Sequence, residues 1–216
     1  MKDEGQVSMR DKGIEKVIEA ARLVLSGRSA VKDAVGEEAG RILGLGIPEP
    51  AGTFSRSRFP VTAFIGEALR HGVPETQPML DILAEVLPNL PWKYNYEPRG
   101  DMPDLGVKMA WGEIIGPEAP YRCSSFCFGF TMIAPDSLYP AHFHPAVELY
   151  YVLSGTAEWT LEGKAALQKP GAFILHPANA VHAMRTGKEP LLAMYTWSGD
   201  DVVTLSQYVW ENHGKD

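Results

Sequence analysis

Residues 140–150 read Pro-Ala-His-Phe-His-Pro-Ala-Val-Glu-Leu-Tyr, and this stretch carries the strongest structural signal in the chain. His142 and His144 are two positions apart, so on a β-strand both imidazoles point to the same face. Glu148 follows after a short turn, and Tyr150 shares its face on the next strand. Two imidazoles and a carboxylate on one interior suit Zn, Mn, Fe, Co or Ni. The stretch therefore predicts a β-structure around one divalent transition metal ion, and these ligands leave the identity of the metal open.

The spacing of this stretch extends into two motifs. Their fixed positions are His142-x-His144-x3-Glu148-x6-Gly155 and Gly171-x5-Pro177-x-Asn179-x2-His182. The two motifs occur in this order, with 15 residues between them. Their order and spacing resemble the two motifs of the cupin superfamily, whose fold is a jelly-roll barrel, also called a double-stranded β-helix. The resemblance implies that His182 joins the other three side chains as a metal ligand.

Three positions depart from the usual cupin pattern. Asp136 stands where the first motif usually opens with glycine, and Asn179 stands where the second usually has its inner glycine. Asp and Asn are the non-glycine residues that best tolerate left-handed backbone, so we expect the same turns at both positions. Thr186 replaces the usual final asparagine, which affects only a local turn.

The pattern changes from Leu105 onward, where short aromatic and β-branched runs alternate with Gly, Pro, Asp and Asn. Such regular short runs are typical of barrels and sandwiches. The predicted strands are residues 106–115, 125–133, 141–144, 148–154, 156–161, 165–169, 172–175, 182–185 and 191–197. We therefore predict a mostly β fold, a single-domain cupin whose barrel and metal site occupy residues 101–216.

The N-terminal half has a helical pattern instead, because its apolar residues recur at three- and four-residue spacing. The predicted helices lie at residues 13–45, with a break at Ser26-Gly27, at 61–70 and at 76–87. We predict a helical extension over residues 1–100 that packs on the barrel or forms a dimer interface. A homodimer is therefore a candidate assembly.

Composition argues against several classes of partner. The formal net charge is -7 and there is no basic stripe, so we expect no nucleic-acid partner. No stretch reaches the roughly 18 apolar residues that a membrane-spanning helix needs, so we expect no membrane partner. The N-terminus is polar and lacks the apolar segment of a secretory signal, so we expect a cytoplasmic protein.

Aromatic residues near the motifs predict the lining of a pocket. Tyr150 points inward beside Glu148, and a nearby dication favours its phenolate, which makes it a candidate general base. The alternative, a core tyrosine hydrogen-bonded to a neighbour, stays open. Tyr139 precedes the metal motif, and Tyr195 and Trp197 share one face of the last strand. Such a pocket suits a small zwitterion, whose carboxylate binds the metal while the ring faces attract its onium group.

Two other residues in the barrel are assigned structural roles. His176 has the opposite strand parity from His182, so we expect it behind the metal ligands or at the surface. Trp159 shares a strand face with apolar residues, and we expect it in the ordinary barrel core.

The combined layout resembles a narrower family, the cupin-type dimethylsulfoniopropionate (DMSP) lyases, and most of all their DddL branch. A helical extension precedes one cupin, and His-x-His-x3-Glu-x-Tyr is followed by a His 34 residues after the Glu. The resemblance implies metal ligands at His142, His144, Glu148 and His182, and a catalytic base at Tyr150. It also implies that Tyr139 and Trp197 lie near the substrate. The implied reaction is β-elimination, with removal of the Cα proton and release of dimethyl sulfide and acrylate.

Two other functions remain open, because a cupin metal site is shared by several reaction classes. One is an Fe(II) dioxygenase that acts on a small substrate, and it would differ from a lyase by its need for oxygen. The other is a cupin that binds a ligand without turning it over. The absence of a basic face in the sequence weakens a DNA-binding regulator but leaves ligand storage or sensing open.

Overall fold

Two β-sheets form the second half of the chain in a computed structural model that describes residues 9–50, 57, 59–96 and 100–209. The strands are β1 Trp92–Lys93, β2 Met109–Gly116, β3 Tyr121–Arg122, β4 Phe126–Ile133, β5 Leu138–Phe143, β6 Val147–Ser154, β7 Ala157–Leu161, β8 Lys164–Gln168, β9 Phe173–His176, β10 His182–Thr186, β11 Leu191–Ser198 and β12 Gln207–Tyr208. The larger sheet has the order β1-β2-β4-β11-β6-β9, with β3 beside β2, and the smaller has the order β12-β5-β10-β7-β8. Trp111 and Tyr150 from the larger sheet share one buried core with Tyr139 and Trp159 from the smaller. The fold is mostly β, as predicted, and forms a cupin barrel.

Helices precede the barrel and cover one side of it. They are α1 Met9–Ser29, α2 Ala34–Gly44, α3 Ile65–Ala68, α4 Gln77–Val86 and α5 Leu105–Lys108, with 3-10 turns at Pro60–Phe64 and Leu87–Asn89. Val17 of α1 and Leu83 of α4 belong to the same buried cluster as Phe130 and Met194 of the larger sheet. The larger sheet is therefore covered on both faces, and β2 and β4 are buried along their whole length. Within the described residues, no helix has the length and apolar character needed to cross a membrane.

Most predicted strands lie within a few residues of the observed ones, but the strand predicted at 106–115 begins too early. A helical turn, α5, occupies Leu105–Lys108, and β2 starts only at Met109. The N–H groups of Val107 and Lys108 both donate to the carbonyl of Asp104, at 3.0 and 3.1 Å. A single buried apolar residue such as Leu105 fits a helical turn or a strand equally well, so the pattern does not separate the two.

The break predicted at Ser26-Gly27 is also wrong. The first helix continues to Ser29, and the chain turns only before Asp33, which starts the second helix. Asp33 has extended backbone and its carboxylate accepts the N–H of Gly36 at 2.9 Å, which is the geometry of a helix N-cap. A cap of this kind decides where a helix begins, whereas one exposed glycine such as Gly27 is tolerated inside a helix.

Left-handed backbone occurs at the cupin turns, as the sequence predicts. Asp136 and Asn179 have φ of 48° and 62°, and both replace the glycine of the usual pattern. Gly155, which ends the first motif, has φ 76°, and a Cβ atom there would overlap the carbonyl oxygen of Pro190. The turn at Gly155 therefore needs glycine for two reasons, the backbone conformation and the space.

Candidate metal centre

The predicted metal ligands lie at the ends of three strands. His142 is in β5 and His144 follows that strand, while Glu148 lies near the start of β6 and His182 opens β10. His142 and His182 are direct partners across β5 and β10. All four residues are buried, with at most 2% of their surface exposed. The strand pairing therefore brings the residues of both motifs together in the barrel interior.

The atoms that can bind a metal converge on one point. Ligand atoms of His144, Glu148 and His182 all lie within 4.8 Å of one another. The Nε2 atoms of His144 and His182 are 3.2 and 3.3 Å from Oε2 of Glu148. The ring centroid of His142 lies 4.0 Å from that of His182. Three of the predicted ligands thus form one tight group, and the His142 ring lies beside it.

Backbone carbonyls orient the three imidazoles. Each Nδ1 faces a carbonyl oxygen, at 2.7 Å for His142 and Pro140, 3.0 Å for His144 and Ala146, and 2.9 Å for His182 and Ala180. A carbonyl oxygen only accepts, so each Nδ1 carries the proton and each Nε2 keeps its lone pair. The buried Nε2 of His182 makes no hydrogen bond within the described residues. Lone pairs of imidazole nitrogens and a carboxylate at such close range are stabilised by a cation, so these residues fit a metal ion.

Two hydrogen bonds fix the carboxylate of Glu148. The indole Nε1 of Trp197 donates to Oε1 at 2.7 Å, and Nδ1 of His176 donates to Oε2 at 2.9 Å. The indole Nε1 of Trp159 in turn donates to Nε2 of His176 at 2.9 Å, which leaves the imidazole proton on Nδ1. His176 is fully buried and lies opposite Glu148 in the pairing of β9 with β6. Trp159 is buried in the core as predicted, but the sequence did not reveal its contact with His176.

Electrostatics favour the protonation states that bind a metal. Burial lowers the pKa of His142 well below its usual range, and burial lowers the pKa of His176 to about 4. Burial alone would raise the pKa of Glu148, but the proximity of His144 and the hydrogen bond from Nδ1 of His176 hold that pKa well below its usual range. Neutral imidazoles and an ionised carboxylate are the forms that act as ligands.

Tyr150 lies close to this group, on the inner face of β6. Its ring centroid is 5.6 Å from that of His176 and 5.1 Å from that of Trp159. Burial raises the pKa of Tyr150 well above its ordinary value, and the negative charge of Glu148 raises it further. A phenolate at Tyr150 therefore needs a positive charge nearby, which a metal at the adjacent ligand group would provide.

The three aromatic residues predicted to bind substrate also line the interior. The ring of Tyr139 stacks on His142 with centroids 3.9 Å apart, and the ring of Trp197 lies 4.2 Å from that of His144. Tyr195 is the direct neighbour of Tyr150 across β11 and β6. All three residues border one cavity of about 240 Å³, together with Tyr150, His142 and Glu148. A cavity of this size suits a small molecule.

Other residues of this cavity were missed by the sequence analysis. Tyr96, from the connector before the barrel, accepts a hydrogen bond from the hydroxyl of Tyr139 at 3.0 Å. The ring of Trp111 lies 4.8 Å from that of Tyr96. Glu113, in the otherwise apolar strand β2, also lines the cavity. A signal for Glu113 was present, because a charged residue inside a buried strand is uncommon.

Comparison with known proteins gives two curated relatives. A putative dimethylsulfoniopropionate lyase DddL from Cereibacter sphaeroides is 37% identical over 146 residues, which cover 66% of this chain and 60% of that protein. The dimethylsulfoniopropionate lyase DddQ from Ruegeria pomeroyi is 32% identical over 110 residues, covering 50% of this chain and 55% of that protein. The matched segments thus span less than two thirds of the length of either relative.

Solved structures and a family model extend the comparison. The crystal structure of DddQ from Ruegeria pomeroyi has a TM-score of 0.79 at 22% identity, covering 94% of this chain and all of the other, and so shares its fold. A chain from the crystal structures of the DMSP lyases RdDddP and RnDddQII has a TM-score of 0.74 at 25% identity, covering 93% of this chain and 100% of its own. The dimethylsulfoniopropionate lyase family model matches residues 41–193, which is most of the chain. This chain therefore belongs to the dimethylsulfoniopropionate lyase family.

Proposed function

We propose that this protein is a metal-dependent carbon–sulfur lyase that cleaves DMSP to dimethyl sulfide and acrylate. The observation that carries the proposal is the buried group of imidazoles and Glu148, with free Nε2 lone pairs, beside Tyr150 in a small aromatic cavity. Membership of the DMSP lyase family supports the choice of substrate. The proposed substrate is a small zwitterion, and the proposal includes neither a nucleic-acid nor a membrane partner.

The metal in this proposal is one divalent transition ion, either Zn, Mn, Fe, Co or Ni. His142, His144, Glu148 and His182 would hold it, with Trp197 and His176 fixing the carboxylate. When bound, the ion supplies Lewis acidity that polarises the substrate carboxylate and makes the neighbouring Cα–H more acidic.

The protein side chains carry out the remaining steps of the proposed reaction. The Oη atom of Tyr150 takes the proton from Cα, and the electron pair of that C–H bond forms the new Cα–Cβ double bond. The Cβ–S bond breaks, and its electron pair leaves on dimethyl sulfide. The products are acrylate, dimethyl sulfide and one proton, which is held on Tyr150 until it passes to solvent. Elimination needs neither an oxidant nor a reductant.

Substrate orientation is assigned to the aromatic wall of the cavity. Tyr139 and Trp197 lie against His142 and His144, so they can hold the substrate beside the ligand group. The faces of these rings and of Tyr195 attract an onium group by cation–π interaction. In this arrangement the carboxylate end of the substrate lies toward the imidazoles.

Other parts of the proposal follow from the sequence. We propose that residues 1–100 act as a scaffold for the barrel at 101–216, since helices α1 and α4 share a buried cluster with the larger sheet. A cytoplasmic location and a homodimer remain predictions. Analytical ultracentrifugation of the purified chain would test the homodimer.

The decisive experiment is gas chromatography of the headspace above purified protein and DMSP under anaerobic conditions. The assay includes a chelator, and then single additions of Mn, Fe, Zn, Co or Ni. We expect chelator-sensitive release of dimethyl sulfide with an equal amount of acrylate. Absence of release with every metal, in folded and metal-loaded protein, would refute the lyase. Oxygen uptake with a small substrate would then favour the dioxygenase, and metal binding without turnover the ligand-binding cupin.

A matched variant tests the role of Tyr150. Tyr150→Phe keeps the ring and its packing but removes the hydroxyl. We expect this variant to keep its metal content and its melting temperature near those of the wild type while losing most of its turnover. Full activity in Tyr150→Phe would show that another group removes the proton.

A further inference from the structure

Glu113 is a buried carboxylate in the same cavity that the proposed reaction does not use. It is 8% exposed and lies on the inner face of β2. Across the larger sheet it pairs with Gly129, which pairs with Tyr195, which pairs with Tyr150. Glu113 and the proposed base therefore lie on one line of cross-strand partners, three strands apart. Neighbouring strands are about 4.8 Å apart, so the backbones of these two residues are separated by roughly 14 Å.

The local structure makes room for this carboxylate. The pairing of β2 with β4 shifts register between Glu113 and Ile115, as at a β-bulge. Ile114 and Ile115 both join the cluster under the helices, while Glu113 faces the cavity. A Cβ atom on Gly116 would lie 2.5 Å from Oε1 of Glu113, so any larger residue would push the carboxylate away. The strand is therefore shaped around an acidic side chain in a position that usually holds an apolar one.

The partners of Glu113 leave its charge only partly satisfied. Nζ of Lys93 lies 3.4 Å from Oε1, and the hydroxyl of Tyr195 lies 3.4 Å from Oε2, both at the outer limit of hydrogen bonding. The Lys93 side chain is 35% exposed, so water competes for its charge. Burial raises the pKa of Glu113 despite the presence of Lys93. A buried carboxylate with such loose partners can still accept a cation from the cavity.

We propose that Glu113 is the counter-charge for the cationic end of a zwitterionic substrate and selects onium acids over neutral acids of the same shape. This inference rests on the proposed function, because it assumes that the carboxylate end of the substrate faces the imidazoles. An onium group toward Glu113 is attracted by the carboxylate, whereas a substrate carboxylate there is repelled. Glu113 thus fixes the orientation of the substrate and excludes fatty acids of similar size.

The competing explanation is that Glu113 serves only as the partner of Lys93. In that case a substitution of Glu113 and a substitution of Lys93 would disturb the pocket in the same way. The affinities for charged and for neutral ligands would then fall by the same factor. The two explanations therefore differ in the ratio of two affinities rather than in any single affinity.

The test measures that ratio by titration calorimetry on metal-loaded protein. The ligands are the trimethylammonium analogue of DMSP and its carbon isostere, in which a tert-butyl group replaces the trimethylammonium group. They have the same shape and differ by one charge. The variants are Glu113→Gln and Lys93→Met, with Glu158→Gln as a control because Glu158 is an exposed carboxylate on β7. The titrations are run at about pH 8, well above the ordinary pKa of a carboxyl group, because a high pH favours the ionised form of Glu113.

We expect the wild type to bind the charged ligand more tightly than the neutral one. In Glu113→Gln the ratio of the two affinities should fall about tenfold, which is equivalent to about 1.4 kcal/mol. Glu158→Gln should keep the preference. Lys93→Met should keep it too, because Lys93 is the one cation beside Glu113 among the described residues, and its removal leaves the carboxylate free to attract the onium group. An unchanged ratio in Glu113→Gln would overturn the assignment. So would equal losses in Glu113→Gln and Lys93→Met, or a wild type that binds both ligands equally.

The design separates this inference from the proposed reaction. Preference for the charged ligand that depends on Glu113, in a protein that releases no dimethyl sulfide from DMSP, would refute the lyase and keep the Glu113 assignment. Release of dimethyl sulfide from DMSP, with a ratio of charged-ligand to neutral-ligand affinity that is the same in Glu113→Gln as in the wild type, would keep the lyase and refute the Glu113 assignment.

Discussion

Replacing Trp197 with phenylalanine removes one hydrogen bond from the carboxylate of Glu148 and part of the ring surface beside His144. The indole Nε1 donates to Oε1 at 2.7 Å, and the ring lies 4.2 Å from that of His144. Phenylalanine keeps an aromatic ring beside His144 but has no N–H group. Trp197→Phe therefore tests whether this hydrogen bond orients Glu148 for metal binding.

The size of the effect follows from the type of hydrogen bond. A bond to a charged acceptor contributes about 1.5–3 kcal/mol, and the half-buried position of Trp197 favours the lower end. If the binding free energy of the metal falls by the lower of these values, the metal should bind about tenfold more weakly, since about 1.4 kcal/mol corresponds to a factor of ten. Loss of a group that orients a metal ligand commonly weakens metal affinity by about 10–100-fold, so the two estimates overlap.

The assay is competition between the metal-free protein and a chromogenic chelator for Zn or Mn, without substrate. Trp92→Phe is a matched control, because the buried indole of Trp92 donates to the carbonyl of Leu87 at 2.8 Å, in a hydrogen bond that does not involve Glu148. We expect Trp92→Phe to lower the melting temperature but to bind metal as the wild type does. The reasoning is refuted if Trp197→Phe binds metal within twofold of the wild type, or if Trp92→Phe loses as much affinity.

Three more predictions concern stability. A chelator should lower the melting temperature by about 5–10 °C relative to protein at a metal concentration about 100 times the dissociation constant, and calorimetry that finds no shift would argue against a metal in the folded protein. Ser198→Ala removes the 2.6 Å hydrogen bond to the buried Glu38 of α2. The free energy of unfolding measured in urea should therefore fall by about 1–2 kcal/mol. An unchanged value would mean that this hydrogen bond does not contribute to stability. Gly163→Ala should lower that free energy by about 1–2 kcal/mol, because φ is 75° with open space around it. Gly155→Ala should cost clearly more, since its Cβ also overlaps the carbonyl of Pro190, and equal costs would show that this overlap relaxes freely.

The sequence predicts the features that depend on local spacing. The positions of His142 and His144 on one strand face follow from the period of two, and their burial agrees with it. The turns at Asp136 and Asn179 follow from the tolerance of these residue types for left-handed backbone. Both inferences need only neighbouring residues, so a single sequence is sufficient for them.

Contacts between distant segments were not predictable in the same way. His176 contacts Glu148 because β9 pairs with β6 in one particular register, and Trp159 reaches His176 from the other sheet. Tyr96 enters the cavity from an irregular connector, where no periodicity indicates which way a side chain points. Glu113 shares its strand face with Met109 and Trp111, but which face of β2 meets the cavity depends on how the sheets and helices pack. These contacts depend on pairing and packing, which spacing along the chain does not determine.

The origin of the ligands in two different sheets links the proposed metal to the fold. His142 and His182 come from paired strands of the smaller sheet, whereas Glu148 comes from the larger sheet. A metal held by all of them would therefore join the two sheets at one end of the barrel, which is the physical basis for the expected fall in melting temperature on chelation. The larger sheet also carries Tyr150 and Glu113, and its outer face is the one that the helices bury. The helical half thus stabilises the wall that holds the proposed base and the proposed counter-charge. The smaller sheet, with its exposed outer strand β8, contributes imidazoles, Tyr139 and the indole of Trp159 behind His176.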